Sequence, residues 1–379
     1  MTTRVAIIGA GPVGLEAALA AREAGYAVTI YEKDPRPAGH VRAWGHVRLF
    51  TPWDWVVSAR MRAVLGDAAP AGPGLPTGDE LAARMLEPVG AGLDVRTGVE
   101  VVAVARRGLL KHEQIASAER AKRPFRLHLR SGGHEWFAEA DLVIDASGTY
   151  GNPNRLGDGG IDALGEAALE DRIVRTIPDA RDLAGKTVLL TGTGHSAQTA
   201  ARDLAAIARD AADTRIVWAT RSPAPDWGAV PADPLPGRAA LVRAAEDLAA
   251  GASDAVELRP GTIVEALHER DGRVRVTLRN GTADDVLADV VVGLHGCAPD
   301  ASIYRQLQVH ECYATLGPMK LAATLGGGDC LSQPAVRADT LANPEPGFFI
   351  LGAKSYGRNA QFLMRTGYEQ VDTVFSALR

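Results

Sequence analysis

Cysteine is scarce: Cys297, Cys312 and Cys330 are the three thiols in 379 residues. Three cannot staple a chain of this size, and their spacing fits neither a Cys-x-x-Cys pair nor a zinc site. A disulfide scaffold and a bound metal are therefore not expected, and only a redox pair stays open. Lysine is scarcer still for a charged residue, six against thirty-five arginines, and 41 basic against 46 acidic residues leave a formal net charge of -5. Without a basic surplus for phosphate contacts, nucleic acid is excluded as the expected partner. Long apolar runs are missing too. Stretches such as Val188–Thr191 are strand-sized, far below the roughly 20 residues that a membrane helix needs. The start also lacks the charged, apolar and small-residue segments of a secretion signal, which predicts a cytoplasmic protein.

What is present is 46% hydrophobic residues and 41 glycines in a chain long enough for two domains. Several of those glycines fall at patterned places. An apolar β-branched run ends at residue 8, Gly9-Ala10-Gly11-Pro12-Val13-Gly14 follows, and Leu15–Gly25 has helical periodicity. A second strand, Ala27–Tyr31, leads into Glu32. Strand, glycine turn, helix and strand-end acid within about thirty residues are the pattern of a dinucleotide site. The glycines permit the bend and the close approach of a pyrophosphate, the helix N-terminus offers N–H groups, and the acid accepts from a ribose.

The pattern returns near mid-chain. Thr187–Thr191 is an apolar strand, Gly192-Thr193-Gly194-His195-Ser196-Ala197 the turn, Gln198–Arg209 a helix and Arg215–Ala219 the next strand. Ala197 replaces the third glycine, which the packing role tolerates. This strand ends in Thr220-Arg221, and an arginine pairs with a ribose 2′-phosphate where an acid would repel it. The second turn is therefore expected to bind NADPH through Gly192, Gly194, His195, Ser196, Ala197 and Arg221. Short strands are expected at Glu100–Arg106, Phe125–Arg130, His134–Glu139 and Asp141–Ala146, a small antiparallel layer returning to the first sheet. In the second half they are expected at Ile263–His268, Val274–Leu278 and Val290–Leu294, with Arg279-Asn280-Gly281 turning between the last two. A helix is expected over Asp79–Leu86, an irregular loop over Arg36–Trp55, and a solvated excursion over the basic run Arg107–Pro124.

Two such units, the first N-terminal with Glu32, resemble the two-dinucleotide-binding-domain flavoproteins, a superfamily that includes pyridine nucleotide-disulfide reductases and flavin-containing monooxygenases. The stretch "ADLVIDASGTYGNP" looks like the superfamily's strand ending beside FAD, here at Ser147 and Gly148. The resemblance implies an α/β fold of two Rossmann-like domains. The FAD domain is discontinuous, 1–155 and 297–379, with the NADPH domain, 156–296, inserted. FAD is then expected on Gly9, Gly11, Pro12, Val13, Gly14, Glu32, Trp44, Ser147, Gly148 and Gly352. One departure stands out: where the superfamily commonly has Gly-Asp to hold the ribityl chain, this sequence reads Gly352-Ala353-Lys354, followed by a helix expected from near Gly367.

The monooxygenase side is favoured by "AGHVRAWGHVRLFTPW", which resembles a loop with glycine and then tryptophan over the flavin. Trp44, Phe50, Trp53 and Trp55 form a candidate shield against water, and His46, Arg48 and Thr51 are candidate polar groups facing the flavin. Against it, Arg175-Thr176 stands where those enzymes carry a His-Ser pair. The leading expectation is transfer of oxygen from a flavin C4a-hydroperoxide to nitrogen or sulfur of a small molecule lying between the domains, with molecular oxygen as co-substrate. The alternatives are a reductase of a disulfide, quinone or partner protein, with Cys312 and Cys330 as its thiols and Gly326-Gly327-Gly328 as a lid, or a flavin-binding redox sensor without turnover. A homodimer is one option for its assembly.

Overall fold

In a computed structural model, residues 2–325 and 335–379 are described. The chain divides into two compact units, Met1–Asn152 with Cys297–Arg379, and Pro153–Gly296.

The first unit is built on a five-stranded parallel sheet. Its order is Phe348–Ile350, Leu142–Asp145, β1 (Arg4–Ile8), β2 (Ala27–Glu32) and Val95–Thr97. Strand β1 sits centrally because its Val-Ala-Ile-Ile run is apolar on both faces, the signature of a strand covered on both sides. Helix α1 (Pro12–Glu23) follows, begun by Gly11 as N-cap with Pro12 in the first turn, where a missing N–H costs nothing. It buries Leu15, Ala17, Ala18 and Leu19 against the sheet, each leucine worth about 1.5–3 kcal/mol.

The opposite face is covered by an antiparallel layer of Glu100–Arg106, Phe125–Ser131 and His134–Ala140. Of the four strands expected there, Leu142–Asp145 joins the parallel sheet instead. The helix expected over Asp79–Leu86 runs on as one helical stretch from Gly78 to Ala91, opened by a capping box on Thr77 and Glu80 and widened to π geometry over Ala82–Leu86. Pro88, which has no N–H to donate back along the helix, lies just past that widening. The stretch 36–55 carries helical turns at Gly39–Arg42 and Trp53–Val56 within its loop. The C-terminal helix, Met364–Leu378, begins three residues before Gly367. Gly367 packs against Val13, where any Cβ would collide.

The basic run 107–124 is not simply solvated. Arg120 is 0% exposed, and together with Arg106 it grips Glu345: Arg106 Nε at 2.8 Å, Arg120 Nη2 at 2.7 Å. The remaining guanidinium donors reach the carbonyls of Leu110, Glu113, Arg123 and Pro346. Charge-run reasoning missed this because Glu345 lies 225 residues from Arg120 in sequence.

The second unit repeats the plan. Its parallel sheet runs Val256–Pro260, β4 (Arg215–Thr220), β3 (Thr187–Thr191), Val290–Gly293 and Ile173–Val174, with helix α2 (His195–Ala208) after β3. The strand Val290–Gly293, expected as an antiparallel return, pairs parallel with β3 instead. The third antiparallel strand is Thr282–Ala288, after Ile263–Arg270 and Arg273–Asn280. Its first four residues, Thr-Ala-Asp-Asp, are all exposed, so it has no alternation to announce it. Arg175 sits in an ion-pair network with Glu166 (2.8 Å) and Glu170 (2.7 Å), and Glu166 in turn accepts from the backbone of Leu156 and Ala163. The residue that departs from the monooxygenase pattern is thus a clamp on its own loop.

Candidate functional site

Each turn uses its first glycine in the same way. Gly9 has φ +97, and a Cβ there would stand 2.9 Å from the Ala146 carbonyl; Gly192 has φ +117, and a Cβ there would collide with the Leu294 carbonyl. Both positions therefore require glycine for reasons internal to the protein. The third position is a packing site: a Cβ on Gly14 would collide with the Gly9 carbonyl, whereas the second turn accommodates Ala197, fully buried. The middle glycines differ. Around Gly11 and Gly194 no other part of the protein lies within 4 Å of a Cβ position. Their openness has no packing cause, and it leaves room for a ligand's backbone-hugging groups at the N-terminus of α1 and of α2.

Glu32 is held from two directions. One oxygen accepts from Ala10 N–H at 2.7 Å, across the glycine turn, and the other from Asp34 N–H at 3.0 Å. Burial pushes its carboxyl up from the ordinary range, against the pull of those two hydrogen bonds. In the second unit the matching support comes from Trp218, whose indole N–H donates to the Gly192 carbonyl at 2.9 Å, and from Gln198, whose amide donates to Thr193 and Trp227 carbonyls.

A cavity of roughly 670 Å³ opens over the first turn. Of the residues expected to meet a flavin nucleotide, Gly9, Gly11, Pro12, Val13, Glu32, Trp44, Ser147, Gly148 and Gly352 line it, and Gly14 lies beneath in the packing. Thr51 lines it as well. His46 and Arg48 do not. Both are exposed, and Arg48 is engaged with the Leu75 carbonyl and bridged to Thr77. Membership of one loop puts these three together in sequence, but His46 and Arg48 do not reach the cavity.

Sequence reasoning missed part of the wall. His40, Tyr150 and Trp44 form an aromatic group, with ring centroids 6.0 Å (His40 to Tyr150) and 6.5 Å (Trp44 to Tyr150) apart. Burial next to Lys33 pushes the His40 imidazole below its ordinary range, so it is neutral at pH 7. The Trp44 Nε1–H is buried and meets no acceptor among the described residues. Of the shield residues, Trp53 is buried in the core instead.

Beneath the floor lies a buried ion pair that no sequence signal announced. Lys354 and Asp145 are both 0% exposed. Lys354 Nζ lies 2.7 Å from Asp145 Oδ2 and 3.0 Å from Ser147 Oγ, and Ser147 Oγ donates to Asp145 Oδ1 at 2.7 Å.

In the second unit, His195 opens α2 half-buried, Ser196 is exposed, and Arg221 is exposed just past β4, whose Ala219 carbonyl receives the Gly192 N–H at 3.4 Å. No carboxylate among the described residues forms an ion pair with Arg221. Cys312 is partly exposed in a hairpin; Cys330 and Gly326-Gly327-Gly328 lie outside the described residues. No group of metal-ligating side chains occurs among the described residues, and no helix there is long and apolar enough to cross a membrane.

Residues 6–317 match the family described as pyridine nucleotide-disulphide oxidoreductase. Among curated proteins, the NAD-dependent dihydropyrimidine dehydrogenase subunit PreT of Salmonella typhimurium is 59% identical over 39 residues, 10% of this chain and 9% of the relative. The match thus spans about a tenth of that relative's length. Among solved structures, the bacillithiol disulfide reductase Bdr of Bacillus cereus is 19% identical with a TM-score of 0.72, covering 100% of this chain and 99% of its own. An ornithine N-hydroxylase of Kutzneria sp. 744 is 16% identical, TM-score 0.65, with 100% and 99% covered. At these identities the two structures share the fold.

Proposed function

Because the chain belongs to the pyridine nucleotide-disulphide oxidoreductase family, we propose that it is an FAD-dependent, NADPH-using oxidoreductase, with FAD in the first unit and NADPH in the second, that oxygenates a nitrogen or sulfur of a small molecule. The overall reaction balances as substrate, O₂, NADPH and a proton giving the oxygenated substrate, NADP⁺ and water.

The residues present fit FAD. The open space at Gly11 suits a pyrophosphate, Glu32 is a fixed ribose acceptor, and the orphaned Trp44 Nε1–H is a donor waiting for a ligand oxygen. When bound, FAD supplies the electron transfer and the oxygen chemistry. The chain's own share is to bind, orient and exclude water. Trp44, Tyr150 and Phe362 wall the cavity with apolar surface, and neutral His40 adds no charge that would draw water in.

The observation favouring oxygen over a disulfide as electron acceptor is that no cysteine lines this cavity among the described residues. One observation favours the reductase reading: hydrogen bonds from Thr315, side chain and backbone, hold the Cys312 thiol below its ordinary range, the condition for a reactive thiolate.

The test mixes holoprotein with NADPH under nitrogen and then admits air. Bleaching of the flavin absorbance by NADPH, followed in air by an oxygenated amine or sulfide with little hydrogen peroxide, supports the proposal. Sustained NADPH oxidation under nitrogen with a disulfide or quinone, abolished in Cys312→Ser, overturns it for a reductase. Absence of bleaching by NADPH and NADH alike points to a redox sensor.

Arg221 supports the choice of NADPH. Replacing it with alanine removes a charge-assisted hydrogen bond to a 2′-phosphate, so KM for NADPH is expected to rise about tenfold while KM for NADH stays put. Equal losses for both nucleotides would remove Arg221 from the phosphate.

A further inference from the structure

The Gly-Asp pair expected at the end of the flavin site is replaced by Gly352-Ala353-Lys354, so the acid that would accept from a ribityl hydroxyl is gone. We infer that Lys354 compensates, by acting with Asp145 to fix Ser147 as the hydrogen-bond acceptor for the ribityl chain. The inference rests on FAD occupying the first unit.

Counting hydrogen bonds carries the argument. Asp145 is engaged through both oxygens, accepting from Ser147 N–H (3.1 Å) and Oγ–H (2.7 Å) on Oδ1 and from Lys354 Nζ on Oδ2. The Ser147 hydroxyl proton is therefore committed to Asp145. One of its lone pairs accepts a hydrogen bond from Lys354 Nζ at 3.0 Å. The remaining lone pair can only accept, because a hydroxyl has one donor and two acceptor sites. Ser147 lines the cavity, whereas Lys354 and Asp145 are fully buried behind it. Its Cα lies 3.0 Å from where a Cβ on Gly9 would be, which sets it beside the phosphate turn. Gly352 also lines the cavity, its position packed on Val13 of that turn. The chain segment of the ligand next to the pyrophosphate is the ribityl group, whose hydroxyls can each donate one hydrogen bond. A lysine alone could not replace a carboxylate, since it donates only. Through Ser147 it becomes part of an accepting device, and the buried pair keeps that device neutral overall. Lys354 is in this sense a positioning residue.

ADP carries the adenosine and pyrophosphate of FAD but no ribityl chain, so it separates this role from a merely structural one. Apoprotein of each variant is titrated with FAD and with ADP. Ser147→Ala is expected to weaken FAD about tenfold and leave ADP unchanged, the loss of one acceptor to a polar ligand group. Lys354→Met in an Asp145→Asn background avoids a stranded carboxylate and is expected to give a similar loss confined to FAD. Unchanged FAD affinity in Ser147→Ala, or equal losses for FAD and ADP, overturns the inference. Failure of the wild-type apoprotein to bind FAD would instead sink the flavin reading beneath it.

Discussion

Glu345→Gln is expected to unfold the first unit at markedly lower temperature, by roughly 10 °C. The substitution keeps the shape of the side chain and removes its charge, which strands Arg106 and Arg120, 2% and 0% exposed, without a counterion. Breaking a buried ion pair from one side costs about 3–5 kcal/mol, and a domain of this size loses about 2–4 °C per kcal/mol. Replacing all three members by apolar residues would cost less, because the penalty comes from the stranded cations. Differential scanning calorimetry checks it, and a melt within 2 or 3 degrees of wild type would show that the cluster tolerates its own net charge.

The same carboxylate predicts the pH dependence. Burial alone would push Glu345 up, but hydrogen bonds from Arg120, the Gln308 N–H and Arg106 outweigh it and hold the carboxyl below its ordinary range. A group depressed in the folded state contributes stability above its unfolded value, about 4.3 for glutamate, and loses it as the pH falls through the lower folded value. The gap in melting temperature between wild type and Glu345→Gln should be widest near neutrality and should narrow below about pH 4.

The second large effect separates the glycines of one turn. Gly11→Ala is expected to leave the apoprotein melting temperature nearly unchanged, since the position has φ −80 and open space, with at most about 1 kcal/mol lost at the helix cap. FAD affinity, in contrast, should fall by about a hundredfold if FAD binds as proposed, because the methyl would then stand where its pyrophosphate approaches the backbone. Gly14→Ala should reverse the pattern, with poor folding from the collision with the Gly9 carbonyl. Gly194→Ala should copy Gly11→Ala in the second unit, raising KM for NADPH while the flavin content of the purified protein stays normal. If Gly11→Ala melts low and keeps its flavin, the open space is not a ligand's.

Much of the molecule was legible because local patterns carried it. Both strand-turn-helix units and the acid at Glu32 follow from period and turn chemistry within a few residues, while the serine-glycine pair at 147 and 148 rests on the family resemblance. Val290–Gly293 was misassigned because a short apolar run looks the same in either sheet direction, and only its pairing with Leu189 and Leu190 decides. Thr282–Ala288 was invisible for lack of apolar alternation. The buried charges were beyond local reading for a different reason. Arg120 and Lys354 owe their burial to partners more than 200 residues away, and nothing nearby distinguishes them from solvated side chains. His46 and Arg48 show the converse, polar residues in a promising loop that the backbone directs elsewhere.

Glu32 has a kinetic consequence. Because Ala10 and Asp34 already fix both its oxygens, a ribose arriving there freezes no rotamer, and the entropy of ordering the side chain was spent when the chain folded. Affinity gained by such preorganisation appears mainly as slow release. A nucleotide bound at Glu32, as proposed, should therefore behave as a resident group that survives purification, whereas one bound at the exposed Arg221 should come and go with each turnover.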